Sequence, residues 1–242
     1  SIYFGAKSTG VAFLDISTGE FLMAEGDDKY IEKLLSNLSP KEIIYQRGYD
    51  DRFEKAFGDK YYTYRLEDWV FSSDINYDKL CKQFGTRSLK GFGVQSLKSG
   101  IAAAGAILYY LEFTEHREIS HITSISRIDK ESFVWIDKYT IRNLELFSSN
   151  ASQQKSGFAD VIDRTLTSMG GRLLKRWIAM PLVDVERINR RQDVVEILTK
   201  DNDLAAALRD HISSIGDLER LSSRIAAGRI LPRELVQLKS SL

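Results

Sequence analysis

The apolar positions change their period about half-way along the chain. Over residues 2 to 6, 11 to 16 and 21 to 24, β-branched and aromatic residues form short runs separated by Lys7-Ser8-Thr9-Gly10 and Ser17-Thr18-Gly19. That spacing predicts a three-stranded antiparallel meander. Helical spacing takes over from Asp27 or Asp28, with Ile31, Leu34, Leu35 and Leu38 on one face before Ser39-Pro40. A buried strand over 42 to 46, a helix over 51 to 57 stopped by Gly58, and a strand over 61 to 66 follow. Asp74 is the expected cap of the next helix, with Ile75, Leu80, Cys81 and Phe84 inward and Asp78, Lys79, Lys82 and Gln83 outward. After a glycine-punctuated loop over 85 to 93, residues 101 to 113 are apolar nearly all round, as in a helix pressed onto a sheet. Together these elements make an α/β domain over residues 1 to 120, a mixed sheet with flanking helices.

Periodicity lapses between residues 116 and 131, which read as a linker. A short strand over 132 to 136, a helix over 138 to 147 and a polar surface loop over 148 to 157 come next. Everything afterwards is helical: Asp184 caps a helix carrying Val185, Ile188, Val195 and Leu198; Leu204 and Leu208 mark a second; Leu218, Leu221 and Ile225 mark a third ended by Gly228; and Pro232 opens a fourth. Residues 121 to 242 are thus an all-α domain that the chain leaves unfinished, and both chain ends read as cuts in a longer protein. The densest local signal lies within 161 to 182. Thr167 can cap a helix, Gly170 and Gly171 allow close approach, Pro181 stops the helix, and Trp177 is expected as a buried anchor beside Leu173, Leu174 and Ile178. Arg172, Lys175 and Arg176 share another face.

Composition narrows the chemistry. With 43% hydrophobic residues and a formal net charge of zero over 242 residues, the chain can build cores, and its overall charge points to neither nucleic acid nor anionic lipid. Cys81 is the single cysteine, which excludes an internal disulfide, and His116, His121 and His211 lack ligand spacing. No run of about 18 apolar residues is present, so no membrane span is expected. Gly5-Ala6-Lys7-Ser8-Thr9 lacks the first glycine and the strand-to-helix context of a phosphate-binding loop. Asp15 sits on a central strand and could begin a two-metal carboxylate cluster, but no partner carboxylate stands mid-strand; a turn-stabilising role suits it better. Arg172, Lys175, Arg176, Arg187, Arg190 and Arg191 could meet a phosphate backbone or form ion pairs within the protein, for example with Asp184, Glu186 and Glu196; without interleaved aromatics the second reading is preferred.

Several segments together resemble the MutS-type DNA mismatch-repair family. Ile162-Asp163-Arg164-Thr165, the run from Met169 through Arg172-Leu173-Leu174 to Trp177, and Pro181 are similar to the start of its core domain, preceded by Arg142-Asn143-Leu144-Glu145-Leu146 and followed by Gly216-Asp217-Leu218-Glu219-Arg220 and Pro232-Arg233-Glu234-Leu235. Leu14-Asp15-Ile16-Ser17-Thr18-Gly19-Glu20-Phe21, Gln83-Phe84-Gly85 and Gly91-Phe92-Gly93 resemble its connector domain. The resemblance implies a ribonuclease H-like connector over 1 to 120 and the N-terminal part of the helical core over 121 to 242, in a cytoplasmic protein. It also implies that this piece holds no catalytic, cofactor or metal site and relays between DNA-reading and ATPase ends of a homodimer. ATP, Mg and mismatched DNA would then be handled by the full-length protein, and MutL by the connector, for which the candidate surface is Asp78, Lys79, Lys82 and Gln83. The alternative is a metal-dependent nuclease centred on Asp15.

Overall fold

Turns at 5 to 8 and 16 to 19 fold the first 26 residues back and forth in a computed structural model that describes residues 1–114, 119–147 and 157–242. The strands are β1 (Ile2–Phe4), β2 (Thr9–Asp15) and β3 (Glu20–Gly26), antiparallel, with Phe4 opposite Thr9 and Asp15 opposite Glu20. Gly19 adopts φ +76° at the second turn, the left-handed conformation that glycine tolerates without penalty. Helix α1 (Asp28–Leu38) begins where the Asp27 carboxylate accepts the Tyr30 amide at 2.8 Å, and it buries Tyr30, Ile31, Leu34 and Leu35. Strand β4 (Glu42–Gln46), helix α2 (Asp50–Phe57) and strand β5 (Tyr62–Leu66) follow as expected, with β4 and β5 parallel.

Among the described residues the strands form two sheets rather than the single mixed sheet expected. Between β1 and β4, the Phe4 amide donates to the Gln46 side-chain oxygen at 2.7 Å, and Gln46 Nε2 donates to Asp68 at 2.6 Å. A side chain therefore stands at a junction where a strand ladder would otherwise run.

Helix α3 (Ser73–Gln83) and helix α4 (Lys98–Phe113) complete the packing of this part. Eleven residues of α4 are buried, matching its all-round apolar sequence. Two glycines set how close it lies. A Cβ on Gly10 would stand 2.0 Å from the Ser99 carbonyl, so β2 and the start of α4 meet backbone to backbone; one on Gly105 would stand 2.2 Å from the Asn76 side chain on α3.

Two details of α3 differ from the sequence expectation. The helix opens after Ser72, which leaves Asp74 inside the first turn rather than at the cap. Asn76 turns inward in place of Ile75, which is 58% exposed, because the Asn76 amide donates to the Val70 and Ala102 carbonyls at 2.8 and 2.9 Å. A buried amide with both N–H groups bonded replaces an apolar contact there.

The segment expected to be a linker belongs to the first unit as far as it is described. Ile122, Ile125 and Ile128 are buried, and β6 (Ser126–Arg127) runs parallel to β3. The chain forms two compact units, Ser1–Ile128 with Ser222–Arg229, and Asp129–Leu221 with Ile230–Leu242. His116 and most of the expected loop over 148 to 157 lie outside the described residues.

The second unit is mostly helical. The strand expected over 132 to 136 is a single bridge between Phe133 and Leu182, supported by the Val134 amide donating to the Pro181 carbonyl at 2.7 Å. Helix α5 (Lys138–Asn143) is shorter than expected, since Glu145 turns to φ +48°. Then come α6 (Phe158–Ile162), α7 (Ser168–Ala179), α8 (Val185–Lys200), α9 (Asn202–Ser214), α10 (Leu218–Ala226), whose residues from Ser222 onward are grouped with the first unit, and α11 (Pro232–Ser241). Asp184 and Asp201 cap α8 and α9, yet α8, α9 and α11 bury no residue within this chain.

Gly10→Ala should destabilise the α/β unit by about 3 kcal/mol or more, because backbone rather than a flexible side chain must move. Urea denaturation followed by circular dichroism measures this; a loss under about 1 kcal/mol would mean that β2 and α4 separate cheaply.

Candidate functional site

The four α3 residues expected to face a partner are not equivalent. Asp78 and Lys82 are exposed. The Lys79 side chain is 22% exposed: its Nζ lies 2.6 Å from Glu112 Oε2 and 5.3 Å from the centre of the Tyr109 ring, so it is tied to α4. Gln83 Nε2 donates to the carbonyls of Ile119 and Ile122 at 2.9 and 3.0 Å and holds the segment that leads to β6. Helical spacing placed all four outward, but a partner four positions along the helix cannot be told from one forty residues away. Asp78 and Lys82 remain as the open part of this surface.

Helix α7 is capped as its sequence suggests, the Thr167 hydroxyl accepting the Gly170 amide at 3.0 Å. What approaches its glycines is the turn just before the helix. A Cβ on Gly170 would lie 3.2 Å from Thr165 Cβ, and one on Gly171 would lie 3.3 Å from Thr165 Oγ1. Asp163 holds that turn, accepting the Thr165 amide at 3.0 Å and its hydroxyl at 2.7 Å. Met180, before Pro181, lies outside the helical region at φ −133° and ψ 70°, as proline favours for the residue preceding it, and the helix ends at Ala179.

Trp177 is 40% exposed, not the buried anchor that its apolar neighbours suggested. The Arg191 guanidinium from α8 lies 3.5 Å from its ring centre and covers one face. Burial and the nearby Arg187 hold Arg191 below the usual guanidinium pKa. Arg172 is the more firmly held residue: its two terminal nitrogens donate to the Asp217 carboxylate at 2.7 and 2.8 Å, and one also reaches Glu219 at 2.5 Å. The hydrogen bond from Arg172 holds the Asp217 carboxyl below the usual range, and the same contact raises the guanidinium. Arg190 pairs with Glu186 at 2.7 Å and Lys200 pairs with Glu196. Asp217 and Glu219 were not foreseen as partners, because they lie 45 and 47 residues from Arg172 in sequence.

The remaining candidates are engaged in local structure. Asp15 accepts the Ser17 amide at 2.8 Å and its hydroxyl at 2.6 Å, which makes it the brace of the β2–β3 turn. Among the described residues no group of three or more His, Cys, Asp or Glu side chains could hold a metal ion. The segment from Gly5 to Thr9 does not fit a phosphate group: it is a tight hairpin turn, and the Ser8 hydroxyl is taken by Glu25 at 2.6 Å. No helix among the described residues is long and apolar enough to cross a membrane.

Arg172→Ala should cost about 2 kcal/mol, because it removes two charge-assisted hydrogen bonds from a carboxylate that is mostly shielded from water and leaves it only the weaker contacts with Arg220. Trp177→Ala should cost about 1 kcal/mol, as expected of a half-exposed ring with a cation on one face. Since the folded Asp217 pKa is depressed, its contribution is complete above the ordinary carboxylate range and is lost as pH falls through the lowered value. Asp217→Asn should therefore flatten the acid limb of the stability profile while lowering stability at neutral pH; an acid limb that keeps its slope would show that other carboxylates set it.

Two family models match the chain in order: MutS domain II over residues 1–123 and MutS domain III over residues 139–242. The chain is 52% identical over 242 residues to the DNA mismatch repair protein MutS of Phocaeicola vulgatus, 50% over 244 residues to that of Cytophaga hutchinsonii, and 50% over 242 residues to that of Bacteroides fragilis. Each match covers the whole of this chain and 28% of the relative. Matching one MutS domain over its α/β part and the next over its helical part, the chain belongs to the MutS family of DNA mismatch-repair proteins.

Proposed function

We propose that this chain is the connector and the first part of the helical core of a mismatch-recognition ATPase, and that it acts as a relay without chemistry of its own. The observation that carries this reading is the collinear match to domains II and III along the chain. An antiparallel meander followed by a parallel β4–β5 pair suits a ribonuclease H-like connector. The apolar stripes left open on α8, α9 and α11 suit a core completed by further chain. In this reading ATP with Mg, mismatched double-stranded DNA and homodimerisation belong to the full-length cytoplasmic protein. Among the described residues the Gly5–Thr9 turn, the one segment with some likeness to a phosphate-binding loop, does not fit a phosphate group.

The same reading gives MutL a docking surface on α3, now reduced to Asp78 and Lys82. Both are exposed, whereas Lys79 and Gln83 are engaged within the protein.

This chain alone should show no ATP turnover and only feeble DNA binding that collapses with salt, because its net charge is zero and Arg172 and Arg190 are held in ion pairs within the protein. Tight heteroduplex binding at physiological salt, measured by fluorescence anisotropy, would overturn the relay assignment. Reversing both charges, Asp78→Lys with Lys82→Glu, should weaken MutL association with the full-length protein about tenfold, the loss expected from a central charged contact. Unchanged affinity in surface plasmon resonance would discard this patch and leave the family assignment intact.

A further inference from the structure

Strand β5 ends its sheet. Gln46 is paired with Leu66, and the Arg47 amide donates to the Leu66 carbonyl at 2.8 Å. In a parallel ladder alternate residues turn their backbone groups to the same neighbour, so Tyr62, Tyr64 and Leu66 bond toward β4. The N–H and C=O groups of Thr63 and Arg65 therefore point away from the sheet, and no group among the described residues takes them up. Such an edge is normally blunted by lysine, proline or a bulge. Between Tyr62 and Leu66 there is no lysine or proline, and the one charge, Arg65, is folded back onto Asp50 and over the Tyr45 ring.

A shelf of aromatic rings lies beside that edge. Tyr62 is 72% exposed, and the Tyr64 ring packs 5.3 Å from Tyr110 near the end of α4. Trp69 is 59% exposed and meets Tyr109 edge-on at 5.2 Å. Other rings of this unit carry cations: Arg52 lies over Phe4, Lys60 over Tyr61 and Lys79 over Tyr109. Among the described residues none lies over Tyr62, Tyr64 or Trp69. At the rim, the Tyr110 hydroxyl donates to the Glu42 carboxylate at 2.8 Å. Bare π faces next to a carboxylate attract positive charge.

We propose that the free edge of β5 is a docking site for an extended peptide segment of a partner protein. The segment adds as a further strand against the outward groups of Thr63 and Arg65. Its alternate apolar side chains rest on Tyr62, Tyr64 and Trp69, and a lysine or arginine lies over one of those rings. Only an extended backbone repeats donors and acceptors at the spacing of this edge, and the exposed rings with Glu42 set the charge of its side chains. This inference does not rest on the α3 surface proposed for MutL.

The test is a display library of random peptides of about nine residues, long enough to span a five-residue strand, selected on the intact protein. The edge variant is Thr63→Pro, which removes an outward N–H while leaving the bonds to β4. The shelf variant is Tyr62→Ser with Trp69→Ser. Thermal melting and circular dichroism establish that each variant is folded; if the proline variant is not, amide hydrogen exchange of Thr63 and Arg65 in the unaltered protein, with and without peptide, is the readout of the edge. Enriched peptides should alternate apolar residues and carry a lysine or arginine; they should protect the Thr63 and Arg65 amides, lose binding to the proline variant, and bind the shelf variant about tenfold more weakly. No enrichment, or enriched peptides indifferent to both variants, would overturn the proposal. So would protection of the two amides before any peptide is added, since the edge would then be covered by the protein's own chain or by a second copy.

Discussion

The α/β unit depends on one backbone-to-backbone contact, the meeting of Gly10 on β2 with Ser99 at the start of α4. No side chain stands between strand and helix there, so α4 lies close enough to bury eleven of its residues. That proximity also solves the capping of α4, whose own N-cap residue, Leu97, makes no side-chain cap. Glu25 from β3 reaches across instead: one carboxylate oxygen accepts the Ser99 amide at 2.8 Å and the Gly100 amide at 3.3 Å, placing negative charge at the positive end of the helix. On the other side, Gly105 leaves room for Asn76, whose amide joins α3 to α4 through the Ala102 carbonyl.

The helical unit is held by a different balance of forces. Its helices begin at local caps, Thr167, Asp184 and Asp201, and several leave their apolar stripes open within this chain. Long-range order comes from directed polar contacts, chiefly the paired hydrogen bonds from Arg172 to Asp217 and the stacking of Arg191 on Trp177. Two of the arginines that looked like candidates for a phosphate backbone, Arg172 and Arg191, are thus occupied in joining helices.

The candidate sites were legible in kind but not in membership. Burial by period predicted that α3 would show a polar face, and Asp78 and Lys82 do so. Lys79 and Gln83 are drawn inward by Glu112, Ile119 and Ile122, residues distant in sequence whose approach depends on how α4 packs. Trp177 was misplaced for the related reason that apolar neighbours on a helix define a stripe but not what covers it. The free edge of β5 was invisible in the same way: Tyr62 to Leu66 reads as a strand whether it ends a sheet or lies within one.

Sequence alone determined the elements whose causes are local. The turn at Gly19, the caps Asp27, Thr167 and Asp184, the break at Pro181 and the all-apolar α4 each follow from a few neighbouring residues acting on φ, hydrogen bonding or hydropathy. The segments that mark the family are of this kind, which is why the resemblance could be seen before any fold. Tertiary structure decided what depends on partners far along the chain: that Glu25 caps α4, that Asn76 rather than Ile75 faces inward, that Arg172 belongs to Asp217, and that 119–128 joins the first unit. Polar side chains bond to whatever group is within about 3 Å, and only the packed fold determines which group that is.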